Sequence, residues 1–162
     1  MVTINCITLH QPWASLVAVG AKPFETRSWA PHLSMIGKPI AIHAGRAPIP
    51  ERLMEVEEIA EALALPRARW HTLPFGAVVC TGTLAGAYQV KRHDWVKDTV
   101  EFLEQATLSG SEPISMAKGC RFGDFGPGRW CWHIVEIRPI EPPVAARGYQ
   151  GVWAWDPDAG VP

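Results

Sequence analysis

No apolar run in the chain approaches the ~20 residues that a membrane-spanning helix needs. The N-terminus has no basic region followed by an apolar core, so a secretory signal is not expected. Cysteine is sparse. Cys6, Cys80, Cys120 and Cys131 are far apart and form no C-x-x-C pair, which excludes the usual zinc and redox spacings. They read as reduced thiols of an intracellular, cytoplasmic protein. No G-K-[ST] occurs, so the glycine-rich stretch 118–128 is not a phosphate-binding P-loop. A formal net charge of −1 excludes a broad basic coat for long nucleic acids. Repeats and low-complexity linkers are absent, and 162 residues are expected to form one domain whose last few residues fray. No metal ligand set stands out, and no cofactor is expected.

Tryptophan and proline, by contrast, are abundant, with 8 and 15 copies. Eight indoles suggest either an aromatic core or a surface on which rings stack. Charge is segregated. Glu51, Glu55, Glu57, Glu58 and Glu61 share one segment, while Lys22, Arg27, Lys38, Arg46, Lys118, Arg121, Arg129 and Arg147 lie outside it. A local positive pocket is compatible with the acidic total.

The densest chemistry falls in residues 20–29, GAKPFETRSW. If Phe24 to Trp29 is extended, Glu25, Arg27 and Trp29 share one face, and Phe24, Thr26 and Ser28 share the other. A glutamate and an arginine two apart on one face can pair, with an indole beside them. Lys22 precedes the strand, and Pro23 holds it extended.

The elements follow from pattern. Residues 4–9 read as a strand. Pro12 suits a helix first turn, 13–19 a short helix, and Gly20 its stop. Residues 38–44 alternate as a strand that ends in His43, with Arg46 just beyond. Residues 50–65 show helical spacing of Leu53, Val56, Ile59, Ala60 and Leu63, with glutamates on the solvated face. Residues 76–90 read as a long buried strand with bends at Gly82 and Gly86. Asp94 to Leu108 is expected to form a second helix capped by Asp94, with Trp95, Phe102 and Leu103 inward. Residues 129–138 alternate as an aromatic strand ending at Pro139, and 152–155 form a last short strand. Together these predict an α+β fold: a small barrel of about five or six strands with flanking helices.

At this point the chain resembles the ASCH domain of the PUA-like superfamily. The family's G-x-K-x-x-E-x-R is present in full as Gly20, Lys22, Glu25 and Arg27. Supporting features are residues 9–13 (LHQPW) before the helix and the Ile42–Ala44 strand. Phe122–Phe125, Pro127–Arg129, Arg147-Gly148 and Gly151–Trp153 resemble a bacterial and phage branch. The resemblance implies a PUA-like barrel and a cleft near the motif that binds RNA or a nucleotide. One bacterial group similar to this family hydrolyses N4-acetylcytidine with a lysine base and a threonine three residues on. Lys22 matches that lysine, but Glu25 holds the threonine's place, which counts against the same covalent mechanism.

Three functional readings follow. The first is a module that binds RNA or a modified nucleotide, with Lys22, Arg27 and Arg129 on phosphate and Trp13, Trp29 or Trp132 stacking a base. The second is a hydrolase, either a ribonuclease or an amidohydrolase of N4-acylated cytidine. Lys22, Glu25 and Arg27 would then be catalytic, with His43, Arg46 and Arg147 completing the substrate-binding set. The third is a protein-interaction module. A membrane partner is not expected.

Overall fold

A computed structural model describes residues 2–109, 116–118 and 120–159. The expected fraying of the C-terminus falls on residues 160–162, outside the described residues. Contacts divide the chain into two compact units. The first comprises residues 1–21, 40–82 and 137–162, and the second comprises 22–39 and 83–136.

The first unit holds β1 (Ile4–Leu9), β3 (Pro39–Ala44, all but its first residue), β8 (Val152–Trp155) and the start of β4 (Ala77–Asp94). β1 lies between β3, which is parallel to it, and β8, which is antiparallel. Its apolar alternation buries Cys6, Ala41, Val78 and Trp155 together. Helix α1 (Trp13–Ala18) is fastened by Gln11. Its side-chain oxygen accepts from Ser15 N at 3.1 Å, and its amide donates to Pro74 O at 2.6 Å. Gly20, at φ 78°, ends the helix in a conformation that costs glycine little.

The single helix expected over 50–65 is two short ones, α2 (Glu51–Met54) and α3 (Glu57–Leu63). The break is at Val56, a β-branched residue with extended backbone at φ −84°, ψ 103°. The five glutamates are exposed, as a solvated face requires.

The second unit holds β2 (Phe24–Arg27), the rest of β4, β5 (Thr99–Ser109), β6 (Met116–Lys118) and most of the first half of β7 (Trp130–Ala145). β2 pairs antiparallel with β7, β4 with β5, and β5 with β6. Its core is Phe24, Tyr88, Val90, Val100, Phe102, Ala117, Cys120, Phe125 and Cys131.

Two expectations are corrected here. Residues 94–108 are the turn and return strand of a hairpin, not a helix. Asp94 does cap backbone, as its Oδ1 accepts from Val96 N and Lys97 N, both at 3.1 Å. The same side-chain bond that starts a helix here closes a turn. Trp95, expected inward, is 66% exposed at that turn. The sheet is mixed, with few helices. Among the described residues it has eight strands rather than about five or six, and its order β2-β7-β4-β3-β1-β8, with β5 and β6 branching off β4, does not close into a barrel. The added strands come from the hairpin and from β6. β7 also continues past Pro139, Pro142 and Pro143.

Candidate functional site

The register of β2 against β7 builds the site. Phe24 faces His133, Glu25 faces Trp132, Thr26 faces Cys131 and Arg27 faces Trp130. Opposed residues on an antiparallel pair share a face. Phe24, Thr26, Cys131 and His133 therefore take one side, and Phe24 and Cys131 enter the core there. Phe24 stacks on His133 at 4.6 Å between ring centres, and burial lowers the His133 pKa. Glu25 and Arg27 take the other side with Trp130 and Trp132.

On that side three charges meet. Lys22 Nζ lies 3.0 Å from Glu25 Oε2, and Arg27 Nε lies 3.2 Å from Glu25 Oε1. Lys22 Nζ also donates to Phe24 O. The lysine and the glutamate are buried, while the arginine side chain is 19% exposed. Two cations share one carboxylate, so the trio carries one net positive charge, and its guanidinium is the part nearest solvent. Removing three charged groups from water is tolerated because each has a partner.

An indole platform adjoins the trio. Arg27 Cζ is 6.0 Å from the Trp29 ring, within cation–π range. Trp29 is 38% exposed. It is braced by Trp132, which is fully buried, meets it edge-on at 5.0 Å and donates from Nε1 to Trp29 O at 3.2 Å.

The glycine-rich loop before β7 locks onto β2. Asp124 N donates to Thr26 Oγ1 at 3.1 Å, and Arg129 Nη2 donates to Thr26 O at 3.3 Å. Asp124 Oδ2 is 3.4 Å from Arg129 Nε, and its Oδ1 accepts from Gly126 N. Gly123 has φ 150°, and a Cβ there would come within 3.0 Å of Phe125 and 3.2 Å of Thr26 Oγ1. The Thr26 hydroxyl thus serves to hold the loop. The Asp-x-Gly spacing of an Asx turn is the sequence signal for the role of Asp124.

Lys22, Glu25, Arg27, Trp29 and Arg129 therefore all belong to the second unit. Trp13, His43, Arg46 and Arg147 belong to the first. There Trp13 is half-buried on α1, and Arg46 and Arg147 are exposed. His43 is buried, and its Nε2 donates to Ala146 O at 3.0 Å. Burial lowers its pKa, the bond to Ala146 opposes that, and the Arg46 charge lowers it further. The four cysteines are buried free thiols, with burial pushing Cys80 and Cys131 up to about 12.

Residues 7–144 match the family model of the ASCH domain. A curated mouse (Mus musculus) relative, Activating signal cointegrator 1, is 40% identical over 53 residues. That alignment takes in 32% of this chain and 9% of the relative, so the chain spans only a small part of that protein's length.

Proposed function

The chain belongs to the ASCH domain family, one in which RNA binding is common, and from there we propose that it binds RNA or a nucleotide through Lys22, Glu25, Arg27, Trp29 and Arg129. The observation that carries this reading is the partly exposed Arg27 side chain beside the exposed Trp29 ring, both held by buried partners. A base stacks on Trp29 and its phosphate meets Arg27. Glu25 sets the angle of the guanidinium, and buried Lys22 keeps the trio positive. A pre-set platform binds more tightly because little is left to order.

The hydrolase reading gains less from the same geometry. An amine 3.0 Å from a carboxylate is arranged as an anchor, and the Thr26 hydroxyl lies on the opposite face of β2, where it accepts a backbone bond from Asp124. A cytoplasmic location is part of this proposal, on the reading of the cysteines as reduced thiols. Titration of the intrinsic tryptophan fluorescence with single-stranded RNA tests it. Saturable quenching that Trp29→Phe diminishes is the expected result. An unchanged spectrum at all RNA concentrations rejects the proposal.

A further inference from the structure

We propose that Tyr149 and Arg147, in the segment between β7 and β8, form a second nucleotide platform that lies wholly in the first unit and takes an unpaired base of single-stranded RNA on the Tyr149 ring. The proposal rests on the RNA reading above but uses none of its residues.

The segment is bolted at its start. Ala146 N donates to Gly76 O at 3.0 Å, and Ala146 O accepts from His43 Nε2 at 3.0 Å. With the hydrogen on Nε2 and a lowered pKa, His43 is a neutral ring whose Nδ1 is an acceptor. That buried Nδ1 has no hydrogen-bond partner among the described residues, because Gly148 closes over it. A Cβ at Gly148 would lie 2.3 Å from His43 Cε1, 2.5 Å from Nδ1 and 2.9 Å from Thr8 Oγ1. Only glycine passes there, and the backbone on either side is fixed by that contact.

The two residues flanking Gly148 point their side chains into a prepared arrangement. Trp153 donates from Nε1 to Thr8 Oγ1 at 3.2 Å and meets His43 edge-on at 5.7 Å. Tyr149 packs at 64° to Trp153, 5.6 Å between ring centres. Arg147 Cζ lies 5.4 Å from the Tyr149 ring. The ring is nevertheless 51% exposed. A half-exposed aromatic residue, braced by Trp153 and with a guanidinium beside its ring, is the composition that single-stranded nucleic acid sites use. Sequence reading passed over Tyr149 because nothing in its spacing separates it from any loop tyrosine.

The test is fluorescence anisotropy of a labelled single-stranded RNA of about ten nucleotides, one long enough to fill a typical single-strand site. Wild type is compared with Tyr149→Ala, Tyr149→Phe, Arg147→Ala and Arg27→Ala, each with its melting temperature. We expect Tyr149→Ala to weaken binding roughly ten-fold, within the range for loss of one base stack. Tyr149→Phe, which keeps the ring, should bind as wild type does. Arg147→Ala should weaken binding and make the salt slope shallower by about 0.7. Melting temperatures should stay at the wild-type value, because the ring is half exposed. If Arg27→Ala weakens binding while Tyr149→Ala and Arg147→Ala match wild type, this platform is refuted and the site on β2 stands. If wild type binds no RNA, both fall.

Discussion

Lys22 Nζ and Glu25 Oε2 lie 3.0 Å apart with 2% and 11% of their side chains exposed. The pair is short in sequence, since only Pro23 and Phe24 separate its members, and β2 starts between them. Pro23 keeps the chain extended, so the lysine stem runs back along the strand to reach both Glu25 and Phe24 O. The result is a fixed positive base under Arg27, and the functional proposal depends on it.

Breaking that pair should be costly. Lys22→Met leaves Glu25 buried with Arg27 as its remaining ion-pair partner and is expected to lower stability by about 1–2 kcal/mol, below the scale for a wholly uncompensated buried charge. Urea unfolding at pH 7 measures this. A loss under about 0.5 kcal/mol would mean that water reaches the pair and that it behaves as a surface ion pair.

Stability should fall on mild acidification. His43 and His133 have pKa values held below the ordinary 6.5, mainly by burial. The unfolded chain then binds protons before the folded one does. Their contribution is complete above about pH 6.5 and is lost as pH falls through the lowered folded values. The urea midpoint should drop between about pH 6.5 and 5, and His133→Phe, which preserves the stack on Phe24, should flatten part of the slope. A midpoint that rises over this window contradicts the burial argument.

The thiols should be inert in the folded protein. Burial pushes Cys80 and Cys131 up to about 12, Cys120 up to about 11, and Cys6 higher still. Thiolate is the reactive form, so a thiol reagent at pH 7 should label none of them until urea is added. Prompt labelling of one cysteine in the native state would reopen a nucleophilic role for it.

Local order was legible in the sequence wherever alternation and a stop signal agreed. β1, α1, β2, β3 and β8 follow from period-2 or helical spacing and from Gly20, to within a residue or two at their ends. The Glu25–Arg27 pairing was legible for the same reason. Asp94 misled because an Asx turn and a helix cap use one hydrogen bond, and tertiary pairing with β5 decided between them. Pro139 misled because it was taken to end β7, whereas the strand runs on to Ala145 with Pro139 exposed. The brace of Trp29 by Trp132 and the clasp of Asp124 on Thr26 join residues about a hundred positions apart, which no local pattern encodes.

Nucleic-acid binding by the charged trio on β2 and the adjoining indole is the proposal on which the rest depends. The most direct test is the affinity for single-stranded RNA of wild type, Arg27→Ala and Trp29→Ala, each followed across a salt series. Saturable binding with a shallow slope is expected, about −0.7 for each phosphate contacted and few contacts in all. Arg27→Ala should make that slope shallower by about one contact, and Trp29→Ala should weaken binding by about 1–3 kcal/mol while leaving the slope unchanged. Equal affinity and equal slope in all three proteins would contradict it.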